Sequence, residues 1–383
     1  MFTRCAVLSL LIATTGFGQQ IHLKTRDIDT SAGTPTQTAR RNHISPESRV
    51  HLLVQFDHAP GAEDLERLVR AGAEVVNAVP DNALVVSLAA GRSLPRNTAT
   101  WTSELNPADK LSPALSKIPN EPIQALIEFH PDITSTQQNA VIAAAGLTAT
   151  RPAVLLANHA IVNATRAQLA LLAEDDAVAY IFPADSDLTN EPNLMPCAGM
   201  LTSAGPVAQY ANIVHGWDAE NGGVRLNYVF GALTPKQSAA NVQSEIIRAL
   251  NAWTQQVNIV FQPSANISAV RTIYIWFASG AHGDAYPFTN GVLAHTFYPA
   301  PINPESIAGD MHLNLDENWN IGSDIDIYSV ALHEIGHAIG LGHSDNPGDV
   351  MYPYYRRGAT LSANDIGAAA ALYGAATPNA APS

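Results

Sequence analysis

Apolar positions along the chain fall into two regimes. Between residues 50 and 188, short hydrophobic runs alternate with stretches of helical period, and the order is stated twice. The first pass predicts a strand at 50–56, a helix at 62–71, and strands at 73–76 and 83–88. A second pass predicts a strand at 123–129, a helix at 136–145, strands at 147–150 and 160–162, a helix at 166–173 and a strand at 178–183. Apolar runs bounded by turn residues mark strands, and apolar residues three or four apart mark one face of a helix. An internal repeat outranks any single element, because it sets the architecture.

Both passes open strand, helix, strand, strand, and the second closes with helix and strand, which is the order of a ferredoxin-like α+β unit. Pro95 and Pro119 bracket the stretch where the first pass loses its pattern. We therefore expect units over 48–118 and 119–188, and a linker over 189–221 marked by Pro192, Pro196 and Pro206. Residues 20–47 are rich in Thr, Ser, Asp and Arg without apolar period, and are expected to be flexible. Residues 222–376 form the second regime, with a strand opening at Gly223 and a last helix ending near Tyr373; 377–383 is a tail.

A chain of 383 residues, 46% of them hydrophobic, can bury more than one core. Its net charge of −14 argues against nucleic acid, whose phosphates would repel it. No run is long enough to span a membrane. The apolar stretch 6–17, behind Arg4 and before small residues, has the pattern of a signal peptide. We expect residues 1–19 to be removed, giving a secreted, monomeric product. Loss of Cys5 with that leader makes Cys197 the single cysteine of the mature chain.

The chemistry is concentrated in His333-Glu334-Ile335-Gly336-His337-Ala338-Ile339-Gly340-Leu341-Gly342-His343. On a helix, His333 and His337 lie one turn apart on one face and can reach a common zinc ion. Glu334 is not needed as a ligand and is free to act as general base toward a zinc-bound water. Gly340 allows a left-handed exit from the helix, so that His343 returns as third ligand. Three protein ligands leave one open position, as catalytic zinc requires. A turn-rich stretch then delivers Met351, an apolar floor beneath the metal.

These residues, with 223–228, 282–288, 293–297, 309–312 and the helix from Leu361 to Gly374, resemble the matrixins, a branch of the metzincin zinc metalloproteases, over roughly residues 222–375. The resemblance implies a twisted, mostly parallel sheet with an active-site helix. It also implies a closed structural zinc site of His282, Asp284, His295 and His312, since three imidazoles and a carboxylate fill a tetrahedron. Calcium is implied only weakly: Asp310 and Glu317 stand at matching positions, but the loop Thr289-Asn290-Gly291 is short and Asn314 and Thr272 replace expected ligands. Cys197 stands where matrixins carry an inhibitory thiolate ligand of the catalytic zinc, although Pro196 departs from that motif. An incidental buried thiol is the other reading.

The second unit is similar to the propeptide or inhibitor-like domains that precede subtilisin-type proteases, and the first more weakly so. The reading is a latent zinc endopeptidase acting on extended protein or peptide substrates laid along residues 292–297, with a specificity wall at 352–358 and a roomy pocket at Ser329. The competing reading is a secreted binding or inhibitory protein whose tandem N-terminal modules carry the function.

Overall fold

The computed structural model describes residues 19–33, 49–89, 91–95, 97–117, 121–190, 195–197, 199–219, 223–288 and 291–376. The expected leader, save Gln19, the segment 34–47 and the tail 377–383 lie outside the described residues.

The first repeat folds as β3 (Arg49–Gln55), α1 (Ala62–Arg70), β4 (Ala73–Val79), β5 (Ala83–Ala89) and β6 (Trp101–Ser103), after a hairpin of β1 (Gln20–His22) and β2 (Asp27–Asp29). The second folds as β7 (Ile123–Phe129), α2 (Ser135–Ala144), β8 (Ala149–Thr150), β9 (His159–Ala164), α3 (Arg166–Ala173) and β10 (Val178–Pro183). Their sheets run β4-β5-β3-β6 and β10-β7-β9-β8, so both place the second, third, first and fourth strands side by side, all antiparallel. Among the described residues, the first copy has no helix between its third and fourth strands. Both helices of the second copy start on Thr-x-x-Gln, where Thr134 and Thr165 accept from the amides of Gln137 and Gln168 and each glutamine reaches back to its threonine's amide.

One expectation is corrected. The segment 19–33 is not a loose leader, because Ile21 and Leu23 are buried and Leu23 bridges to Ala211 far along the chain. Three-residue strands carry too little period to be seen in sequence, and their apolar partners come from elsewhere. The linker is also more structured than expected. After a single turn, α4 (Asp187–Asn190), it supplies β11 (Met200–Thr202) and β12 (Gly205–Pro206), both part of the main sheet.

That sheet is completed by β13 (Val224–Phe230), β14 (Ile259–Pro263), β15 (Thr272–Ala278), β16 (Ala294–Phe297) and β17 (Met311–Asn314), in the order β12-β11-β16-β17-β15-β13-β14. The pairs among β13, β14, β15 and β17 are parallel, and β16 is antiparallel to β17. Two long helices, α5 (Ala239–Thr254) and α6 (Ile327–Ala338), pack together, with Trp253 Nε1 donating to Leu332 O at 2.9 Å. The last helix, α7 (Ala363–Tyr373), is capped by Ser362. Its Asp365 accepts from the amides of Val350 and Met351, tying it to the loop beneath α6.

The N-terminal half is held to this domain through Asp345, two residues past His343. One carboxylate oxygen accepts from Lys24 Nζ at 2.6 Å and Gln209 Nε2 at 3.2 Å. The other accepts from Ser112 Oγ and Tyr180 OH, both at 2.6 Å. Lys24 also donates to His343 O at 2.8 Å. The Lys24 and Asp345 side chains are 16% and 8% exposed, so this pair is far less screened than a surface bridge. Lys24→Met is expected to lower the unfolding free energy of the full chain by about 1–3 kcal/mol, because a buried carboxylate loses a charged partner. Urea unfolding would measure this, and an unmoved midpoint would show that Asp345 does not fasten the two halves.

Candidate active site

α6 begins where Asp326 accepts from the Ser329 amide, and its next turns carry His333, Glu334 and His337 inward. Gly336 is required there: a Cβ at that position would lie 2.3 Å from Met351 Sδ, so the methionine packs directly under the helix. Gly340 takes φ +98° and faces His215 O, which a Cβ would meet at 2.7 Å. Past this turn the chain swings His343 back against His333 and His337, with ring centroids 5.4 and 4.8 Å away.

Tautomers follow from the hydrogen bonds. His333 Nδ1 lies 2.6 Å from Val350 O and His337 Nδ1 lies 2.7 Å from Leu341 O, so each ring gives its proton to a carbonyl. Their Nε2 lone pairs then face each other at 3.1 Å, and His343 Nε2 is buried with no partner at all. Lone pairs so arranged repel unless a cation lies between them. Burial also pushes the pKa values of His337 and His343 well down, which keeps the rings in the neutral form that binds metal. The set fits zinc.

Cys197 is the fourth member of this group of converging ligand atoms. Its Sγ is 3.0 Å from Glu334 Oε1 and 3.7 Å from His337 Nε2. Burial and the neighbouring Glu334 carboxylate push this thiol's pKa well up, and the thiol donates to Glu334. Glu334 is 1% exposed, and burial raises its pKa above the ordinary carboxylate value. Its other oxygen accepts from Thr296 Oγ1 at 2.6 Å. The segment carrying Cys197 continues as β11, which pairs parallel with β16 through Met200 and Leu201 opposite Thr296 and Phe297. The edge expected to take substrate is therefore already occupied by the chain itself.

The second set also assembles. His282 Nε2, His295 Nε2, His312 Nδ1 and Asp284 Oδ2 lie 2.8–3.4 Å from one another in every pair. His282 Nδ1 is 2.7 Å from Gly280 O, which fixes the proton there and leaves Nε2 as an acceptor. Four ligand atoms about 2.0–2.1 Å from a tetrahedral zinc ion would be about 3.3 Å apart. Burial alone would raise the Asp284 pKa, but the His295 and His312 hydrogen bonds hold it well below the usual range. Of the residues considered for calcium, Asp310 and Asn314 are engaged by neighbours, whereas the buried Thr272 hydroxyl has no hydrogen-bond partner among the described residues. Asp310 accepts from the Tyr274 amide, and Asn314 donates to Val292 O and accepts from the Asp316 amide. Thr289 and Asn290 lie outside the described residues.

A pocket opens beside His333 and Glu334, lined by Leu293, Val330, Val350, Tyr355, Arg356 and Ala359. Ser329 borders it, yet its hydroxyl is committed, donating to Asp326 and accepting from the Gly358 amide. It works as a strut between the helix start and the pocket wall, a role its small size alone did not suggest. The contacts of Thr296, Asp345 and Arg356 were not legible in sequence, because their partners are 38 to 321 residues away.

Residues 216–374 match the family profile described as Matrixin, and residues 22–106 match a domain of unknown function (DUF8729). Human matrix metalloproteinase-20 is 38% identical over 156 residues, covering 39% of this chain and 31% of that protein. Rat macrophage metalloelastase is 38% identical over 161 residues, covering 40% of this chain and 33% of that protein. Human matrilysin is 39% identical over 137 residues, covering 34% and 49%. The chain thus spans between a third and a half of the length of these relatives. No helix among the described residues is long and apolar enough to cross a membrane.

Proposed function

We propose that this chain, whose residues 216–374 form a matrixin catalytic domain, is a secreted zinc endopeptidase made in a latent form, with ferredoxin-like N-terminal units acting as its inhibitor. The observation that carries the reading is the convergence of three imidazole nitrogens and the Cys197 thiol beside buried Glu334. His333, His337 and His343 would hold the catalytic ion and His282, Asp284, His295 and His312 a structural one, with calcium a lesser candidate. A bound zinc ion would supply Lewis acidity toward a peptide carbonyl and acidify water.

The protein's own part in the reaction is positional and protonic. Thr296 fixes the Glu334 carboxylate by one oxygen, which leaves the other, now covered by Cys197, to act on a water molecule once the thiol is withdrawn. Glu334 would take the proton of the attacking water and pass it to the leaving amine. Substrate binds extended along β16 in place of β11, by backbone pairing. Export is inferred from the 6–17 apolar run, and proteins or peptides are the proposed substrates.

Latency would follow from Cys197, since a zinc ion held by the three histidines would take its sulfur as thiolate in the place of water. Cys197→Ser in the full, zinc-loaded chain is expected to raise basal casein cleavage by about tenfold or more, hydroxyl being a poorer zinc ligand than thiolate. Equal basal rates would return Cys197 to an incidental buried thiol. The reading as a whole is tested by casein cleavage after limited proteolysis of the zinc-loaded chain, with chelator as control. Silence in a folded, zinc-loaded, cleaved chain would favour the binding-module reading.

A further inference from the structure

Arg356 stands on the wall of the pocket beside Glu334, with its side chain 41% exposed at the mouth. Its guanidinium is paired with Asp185 and approaches Asp187 at 3.8 Å. Both carboxylates belong to the stretch between β10 and Cys197, on the N-terminal side of the blocking strand. That stretch is anchored beside the pocket by Tyr352, whose hydroxyl donates to Pro183 O and accepts from the Asp185 amide, both at 3.1 Å. Asp185 is only 6% exposed while the arginine remains partly in water, so the carboxylate is the desolvated member of the pair.

Loss of the N-terminal half would strip the arginine of both counter-ions while leaving the arginine in place. The pocket wall would then carry an unneutralised cation in a chain of net charge −14. A planar guanidinium left at an apolar pocket binds a carboxylate with paired hydrogen bonds, which a neutral amide cannot replace. We propose that Arg356 is a specificity residue selecting an acidic side chain directly after the scissile bond, and that Asp185 and Asp187 hold that subsite in the latent chain. Glutamate fits best, because its methylene stem can lie along Leu293, Val330 and Tyr355 while its carboxylate reaches Arg356. This inference rests on the proposed protease reading and on departure of the inhibitory half.

The test uses the full chain, zinc-loaded and activated by limited digestion with a serine protease that is then inhibited. Three fluorogenic peptides differ only in Glu, Gln or Lys after the scissile bond, and kcat/KM is compared within each enzyme form. The parent is expected to prefer Glu over Gln by about tenfold, the lower end of what a charged hydrogen bond contributes, because the guanidinium stays partly exposed. Arg356→Glu is expected to invert the order in favour of Lys, a gain that a misfolded protein could not imitate. Equal rates on all three peptides by the parent, or an unchanged order in Arg356→Glu, would overturn the assignment. Cleavage of no peptide and no casein by any form would overturn the protease reading beneath it, a failure distinct from loss of selectivity.

Discussion

Glu334→Gln, in the zinc-loaded chain activated by limited proteolysis, is expected to slow casein cleavage by about 10²–10⁴-fold, the range associated with a positioned proton-transfer group. The substitution keeps the shape and the Thr296 contact, since an amide oxygen still accepts from the hydroxyl, but removes the base. Zinc content is expected to equal the parent's, because Glu334 is not among the converging ligand atoms. Activity within a few fold of the parent, at equal zinc content, would remove Glu334 from the chemistry. Lower zinc content would mean that the carboxylate helps hold the ion, and the slowing could not then be ascribed to proton transfer.

The second large effect concerns stability. His312→Ala is expected to bind one zinc ion per chain where the parent binds two, and to unfold at markedly lower denaturant. His312 sits on β17, opposite His295 on the antiparallel neighbour β16, so the ion would cross-link the strand that forms the cleft edge to the interior of the sheet. Without the imidazole, Asp284, whose side chain is 13% exposed, keeps its charge with fewer partners. Breaking a buried ionic group in this way costs on the order of 3–5 kcal/mol. Metal analysis and urea unfolding of the same preparations would measure both effects. A variant that retains two ions and an unchanged midpoint would show that these four residues are not a structural site.

Much of this was legible because the decisive signals are local. His333 and His337 are one helical turn apart, and Gly340 takes the positive φ expected of a turn. The repeated strands could be read because seven-residue runs such as 49–55 and 123–129 carry enough pattern to declare themselves. What escaped was long-range. Ile21 lies in a strand three residues long and Leu23 in an isolated bridge just past it, and both are buried by side chains far along the chain. Lys24, Ser112, Tyr180 and Gln209 look like ordinary polar residues until folding brings them around Asp345. Pairings of this kind leave no period, since each partner satisfies only its own local preferences.

That gathering of donors has a kinetic side. Lys24 belongs to the hairpin segment, Ser112 follows the first unit, Tyr180 lies in the second and Gln209 in the stretch before the catalytic domain. One peptide-bond cut after Gln209 and before Val224 would keep all four donors, Cys197 and β11 on one fragment and break none of the hydrogen bonds to Asp345. It converts a tethered contact into one between two molecules, at first held by the same grip but now subject to dilution. Scission and activation therefore separate in time. The delay is set by how fast the cut half dissociates, so a dilute exported enzyme would be released outright where a concentrated one would stay masked.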